Sequence, residues 1–163
     1  MTLRGLPAHP LLVHAVVVLL PLAALALVLH TLWPGARRRL GVLTPVLALV
    51  VLVLVPITTR AGEDLATSLG ATNSPLVRRH QELADQLLPW SIALFVFATA
   101  QWWWTGPGAR VLAGGESGHS VSTGGARRWV GVILAVVSIA IAVAATVVLV
   151  RAGDAGARAT WGR

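Results

Sequence analysis

The chain contains no lysine, cysteine or tyrosine, and charged residues make up only 12% of its 163 residues. The absence of cysteine excludes disulfides, thiolate metal sites, cysteine-bound iron–sulfur clusters and covalently attached c-type haem. The charged fraction is about half that of a soluble domain. The 13 arginines and 6 acidic residues stand in clusters between long apolar runs, and 56% of the chain is hydrophobic. This pattern is typical of a polytopic membrane protein.

Four apolar segments are long enough to cross a hydrocarbon core of about 30 Å, which takes about 20 helical residues. They predict helices over residues 10–33, 40–59, 75–104 and 129–151. We therefore expect an all-α fold, a four-transmembrane-helix bundle that forms a single domain over residues 1–163. This domain would be a multi-pass protein of the cell membrane.

Prolines refine the predicted helices. The stretch Asn73-Ser74-Pro75 is typical of a helix cap followed by a first-turn proline, so the third helix is expected to start at Pro75. Pro21 and Pro89 lie inside the first and third helices, where they predict kinks or local loosening.

Four spans place both termini and the connection over residues 60–83 on one side of the membrane. The connections over 34–39 and 105–128 lie on the other side. The first side carries seven arginines and the second six, so a simple count does not decide the orientation. The arginines of 37–39 and 127–128 lie closest to helix ends, and the positive-inside rule gives such residues the most weight. We therefore expect these two connections in the cytoplasm and both termini outside the cell.

We expect the positively charged residues, which give the chain a net charge of +7, to interact with the lipid bilayer. The arginines are scattered at the ends of apolar segments, which favours anionic lipid headgroups over nucleic acid.

Two histidines open the first apolar segment, in the stretch His9-Pro10-Leu11-Leu12-Val13-His14. Ionisable side chains are costly within a membrane, so those that persist there are functional candidates. His9 precedes a proline, which disfavours helical backbone, and we expect it to cap the helix or line the rim of the bundle. His14 lies one turn inside the helix. His80 falls on the apolar face of the third helix, at the same end of the bundle.

His14 and His80 are therefore the expected pair of a histidine-lined site, with His9 at its rim. Arg60 follows the second span at this end and Arg158 follows the fourth, where they could pair with acidic groups of a cofactor. The leading hypothesis is b-type haem, with His14 and His80 as axial ligands and the arginines on the propionates. The protein would then be a small haem-binding or redox-associated membrane subunit with a redox partner protein.

Several alternatives stay open at this point. The same His14 and His80, with His9 or an acidic residue, would suit a zinc or copper site. A chain of histidines and acids would suit proton transfer. A purely structural polar network at the helix ends would instead make the protein a non-catalytic scaffold or assembly partner. His30 and His119 could form a second site at the opposite end. No hydrolase triad pattern or helical zinc-protease motif occurs in the sequence, and whether the chain is an enzyme is left open.

Three stretches carry a family resemblance. They are GLPAHPLLVHAVVVLLPLA at the start, RRHQELADQLLPW before the third apolar run, and GDAGARATWG after the fourth. Together they resemble a group of bacterial predicted membrane proteins classed as a domain of unknown function. Some members are fused to Rieske-type or cytochrome-like domains, so the resemblance implies a place near electron transfer. Members often have a histidine in the Gly-x-x-Gly-Ala motif where this chain has Asp154, which weakens a four-imidazole metal site and leaves the His14–His80 pair untouched.

Overall fold

The computed structural model describes residues 2–3, 6–106 and 124–161. Its elements are β1 (Thr2–Leu3), β2 (Leu6–Pro7), α1 (Ala8–Leu32), α2 (Pro34–Leu40), α3 (Leu43–Ser68), α4 (Pro75–Asp85), α5 (Leu87–Thr105) and α6 (Gly124–Trp161). β1 and β2 form one short antiparallel ladder, and all other elements of the described ranges are helices. The predicted all-α fold is therefore confirmed.

Four helical stretches are long and apolar enough to cross a membrane. They are Ala8–Leu32, Leu43–Ser68, Pro75–Thr105 and Arg128–Trp161. Only 28–33% of the most apolar part of each stretch is buried inside the bundle. Side chains such as Val18, Leu25, Val53 and Val136 are exposed instead and form an apolar outer surface. An exposed apolar surface of this extent fits a multi-pass membrane protein whose outer face meets lipid.

Small residues let the helices approach closely in the core. Ala23 and Ala24 of α1, Ala98 of α5 and Ala145 of α6 are all buried. Helix association in membranes depends on such close van der Waals packing. α1 packs against α3 and α6, α3 packs against α5, and α4 packs against α6. As a result, α1 begins beside the end of α3, and α4 lies beside the last turns of α6.

Two helices extend beyond the apolar runs that predict them. α3 continues to Ser68 and α6 continues to Trp161, so Arg60 and Arg158 lie on helices and not in connections. Alanines in both extensions favour helix, and the charged side chains are tolerated because they reach water. The predicted connection over residues 34–39 also differs, since all of it lies in α2.

The predicted helix from Pro75 to Trp104 is divided at Gln86 into α4 and α5. Pro89 has no backbone N–H to donate to the Asp85 carbonyl, so the helical hydrogen bonding is weakened at this point. The loosening expected at Pro89 is thus observed, whereas Pro21 lies within an uninterrupted α1.

Candidate functional site

Two histidine rings meet at one end of the bundle. His9 lies in the first turn of α1, and His80 lies in α4. Their ring centroids are 6.4 Å apart, and the ring planes are inclined by 78°. We call this end the histidine end; it comprises the start of α1, the end of α3, α4 and the last turns of α6.

A backbone carbonyl of a neighbouring helix orients each ring. Nδ1 of His9 donates to the Thr58 carbonyl of α3 at 3.0 Å, and Nδ1 of His80 donates to the Ala152 carbonyl of α6 at 2.8 Å. A carbonyl oxygen only accepts hydrogen bonds, so Nδ1 carries the proton in both rings. In the neutral imidazoles, the lone pair of Nε2 is then left for another partner.

A glycine lies against each imidazole. A Cβ atom added to Gly62 would lie 2.8 Å from Cε1 of His9, and one added to Gly156 would lie 3.0 Å from Cε1 of His80. Each glycine comes four positions after the residue whose carbonyl accepts the hydrogen bond (58 to 62 and 152 to 156). Since this arrangement occurs both between α1 and α3 and between α4 and α6, the two rings are held in locally equivalent ways.

A cavity of about 70 Å³ lies beside the two rings, and we call it the histidine cavity. Its lining comprises His9, Val13, Val16, Val17, Val55, Thr58, Thr59, His80, Ala84, Leu87, Leu149, Ala152 and Gly153. One water molecule takes roughly 10–15 Å³ of such space, so the cavity holds a few waters or a small ion. Ordinary small-molecule pockets measure about 300–1,000 Å³, which is well above this volume.

His14 does not take part in the pair that the sequence predicts. It is exposed, does not line the histidine cavity, and its Nδ1 donates to the Pro10 carbonyl of its own helix at 2.6 Å. The reason is that α1 begins at Ala8, so His9 is helical and was wrongly expected to precede the helix. His9 then shares the inward face with Val13 and Val16, while His14 is turned about 140° away from it.

Neither arginine that the sequence suggests for a cofactor lines the histidine cavity. Arg158 is exposed and pairs with Asp154 of its own helix at 3.0 Å. Arg60 is exposed on α3. Within the described ranges, no group of three or more His, Asp or Glu side chains is placed to hold a metal ion. A metal centre built from these residues would therefore have two protein imidazoles as ligands.

A third histidine, His30, is buried at the opposite end of the bundle. Its Nε2 lies 3.2 Å from Oγ1 of Thr105, and its Nδ1 lies 3.4 Å from Oγ1 of Thr44. The Thr105 hydroxyl donates its own proton to the Gln101 carbonyl, so His30 donates through Nε2 and accepts through Nδ1. These contacts give each ring nitrogen of His30 a hydrogen-bond partner within the bundle. His119, its suggested partner, lies outside the described residues.

Gln101 connects three helices near this end. Its amide oxygen accepts from the Thr31 hydroxyl of α1 at 2.7 Å, and its amide nitrogen donates to Ser138 of α6 at 2.6 Å. Sequence reasoning missed these residues, although polar side chains within an apolar span already indicate an inward position. The contacts of Gly62 and Gly156 with the rings were also missed, although Gly156 belongs to the Gly-x-x-Gly-Ala motif, because the role of a helical glycine is visible only once its neighbour is known.

No protein-family model, curated protein or solved structure matches this chain. The family resemblance of its three motifs therefore stays a prediction.

Proposed function

We propose that this chain is a small membrane protein that binds one transition-metal ion between His9 and His80 and has a redox-associated role. The observation that carries the proposal is that both imidazoles donate through Nδ1 to a carbonyl of a neighbouring helix. Metal-binding histidines almost always make this second bond, which fixes the tautomer and makes Nε2 the ligand. A structural role would account for one such histidine, whereas here two rings with the same Nδ1 hydrogen bond to a carbonyl line one cavity.

The ring spacing suits one small ion. With metal–nitrogen bonds of about 2.0–2.1 Å, two imidazoles on one ion hold their centroids roughly 5–6.5 Å apart. The separation of 6.4 Å lies within this range, so His9 and His80 are the residues that would hold the ion. The histidine cavity has room for water as a further ligand.

Copper is the ion that we propose for this site. Imidazole suits copper, zinc, iron and nickel, and divalent copper binds a given nitrogen site most tightly among them. Copper also changes oxidation state, which agrees with a redox-associated role. The apolar lining of the histidine cavity restricts water access, a property that tunes the potential of a bound metal.

Haem b is the second candidate, supported by the same two oriented imidazoles. Its axial ligands would be His9 and His80 and not the expected His14 and His80. The histidine cavity of about 70 Å³ does not accommodate the macrocycle, and neither Arg60 nor Arg158 lines it to meet the propionates. Haem binding would require α1 and α4 to separate, so we rank it below a single ion.

We also propose that the histidine end faces the outside of the cell membrane, where a redox partner protein would meet it. Arg37–Arg39 and Arg128 lie at the opposite end, close to span ends, where the positive-inside rule expects cytoplasm. A cysteine introduced at exposed Ser68 would be the chain's single thiol and should react with a membrane-impermeant maleimide in intact cells. Protection of Ser68→Cys together with labelling of Arg39→Cys would reverse the orientation.

Metal analysis and visible spectra of the purified protein test the proposal. The protein would be prepared in detergent from cells supplied with copper and with haem. We expect about one copper ion per chain, lost in His9→Ala and His80→Ala and retained in His14→Ala. A b-type band in the reduced-minus-oxidised spectrum, lost in the same two variants, would assign haem to the site in place of copper. A colourless, metal-free protein that does not bind added copper would refute both and favour a non-catalytic scaffold.

A further inference from the structure

A polar cleft of about 280 Å³ opens at the other end of the bundle, and we call it the arginine cleft. We call this end of the bundle the arginine end; it comprises α2, the start of α3, the end of α5 and the start of α6. Residues that line the cleft include Thr31, Arg37, Gln101, Trp104, Thr105 and Gly131. The apolar core of the bundle separates it from the histidine cavity, so an inference about the cleft is independent of the metal site.

Arg37 is fixed at the wall of this cleft. Its Nε donates to the His30 carbonyl and its Nη2 donates to the Thr31 carbonyl, both at 3.0 Å. These are carbonyls of the last turn of α1, where the helix dipole favours a cation. The two bonds use two of the five N–H groups of the guanidinium. The group is therefore held in one orientation and keeps further donors for a ligand in the cleft.

The arginine end has an excess of positive charge. All acidic residues in the described ranges lie at the histidine end: Glu63, Asp64, Glu82, Asp85 and Asp154. Arg37, Arg38, Arg39 and Arg128 lie at the arginine end, and the remaining acidic residue of the chain, Glu116, is outside the described residues. This imbalance attracts anions to the surface around the cleft.

We infer that the arginine cleft binds the phosphate group of an anionic membrane lipid, with Arg37 as its main donor. Guanidinium groups bind phosphate oxygens through paired, charge-assisted hydrogen bonds. Exposed Trp33, at the end of α1, and exposed Trp103, beside Trp104, indicate that the cleft lies at headgroup depth, because tryptophan favours the membrane interface. Arg38 and Arg39 are exposed on the same short helix as Arg37 but do not line the cleft, so Arg37 is the guanidinium of this helix that a ligand in the cleft meets.

Gly131 offers a variant that adds side-chain volume at a residue lining the cleft without removing a hydrogen bond. A Cβ atom at this position would meet no atom within 4 Å, so Gly131→Leu extends a side chain into open space. Val132→Leu, at the next exposed position of α6, is the matched control. Arg37→Gln removes the main donor, and Arg39→Gln removes a neighbouring charge that does not line the cleft. Arg37→Gln also loses the hydrogen bonds of Arg37 to α1, which can impair folding. Gly131→Leu leaves those bonds in place and tests the cleft independently.

Native mass spectrometry of the delipidated protein, with lipids added back, measures the expected binding. Dioleoylphosphatidylglycerol is the anionic probe, and dioleoylphosphatidylcholine is the zwitterionic lipid with the same chains. We expect one tightly bound phosphatidylglycerol, with at least about tenfold weaker binding in Gly131→Leu and Arg37→Gln and less than about twofold change in both controls. Unchanged binding in Gly131→Leu and Arg37→Gln, or equal binding of the two lipids, would overturn the inference. Inorganic phosphate that binds as tightly as phosphatidylglycerol would overturn the assignment to a lipid.

Discussion

Gly62→Ala tests whether the ring of His9 is held against α3. The added methyl carbon would lie 2.8 Å from Cε1 and 3.0 Å from Nδ1 of His9, closer than the 3.5–4.0 Å at which carbon atoms pack best. The ring must therefore move away from α3, and its hydrogen bond to the Thr58 carbonyl lengthens or breaks. The variant changes the orientation of one imidazole and leaves both imidazoles in the chain.

Three contributions determine the expected change in the free energy of unfolding. Replacing a helical glycine with alanine stabilises by about 0.8–1.0 kcal/mol. Overpacking costs about 1–3 kcal/mol, and the loss of a neutral hydrogen bond costs about 0.5–1.5 kcal/mol. The net result is a destabilisation of about 0.5–3.7 kcal/mol. Copper affinity should also fall about 10–100-fold, as expected when a ligating histidine loses its second hydrogen bond.

Gly131→Ala is the matched control, because this glycine is also helical and its added Cβ atom would meet nothing within 4 Å. Both variants would be unfolded by titration with sodium dodecyl sulfate in mixed micelles and followed by tryptophan fluorescence. We expect Gly131→Ala to be stabilised by up to about 1 kcal/mol, with unchanged copper affinity. If Gly62→Ala were stabilised to the same extent and kept its copper affinity, the packing of His9 on Gly62 would be refuted.

Four further substitutions have expected outcomes. His14→Ala should change stability by less than about 0.5 kcal/mol in the same titration, because the side chain is exposed, and a larger loss would show that His14 has a buried partner. Gln101→Leu should destabilise by about 1–2 kcal/mol and Ser138→Ala by about 0.6 kcal/mol, as expected for hydrogen bonds between spans, and wild-type stability in both would contradict a bracing role. Asp154→Asn should cost less than about 1 kcal/mol, since its pair with Arg158 is exposed, and a thermal shift beyond that would contradict the surface assignment.

The fold follows from the sequence because its strongest pattern is long apolar runs broken by charge and proline. The runs around residues 10–33 and 40–59 predict spans without knowledge of any contact. In the same way, Pro89 predicts the break before α5. The ends of α3 and α6 could not be predicted in this way. Charged residues mark where a span leaves the apolar layer, and they do not mark where a helix ends.

His80 and the N-terminal histidines lie at the same end of the bundle, as the sequence predicts. The sequence favours His14 as the partner of His80, whereas the ring that lies beside His80 belongs to His9. A proline after His9 disfavours helix locally, but the hydrogen bond of the ring to the Thr58 carbonyl is a tertiary contact that favours it. If both histidines are helical, they lie about 140° apart, so only one of them faces inward, and spacing alone does not say which.

Pulsed electron paramagnetic resonance of the copper(II)-loaded protein tests the central claim most directly, because it counts the imidazoles bound to the metal. We expect two imidazoles in the wild type and in His14→Ala, and one imidazole or a loss of copper in His9→Ala and in His80→Ala. Two imidazoles in His80→Ala, or the loss of one in His14→Ala, would contradict a metal centre between His9 and His80.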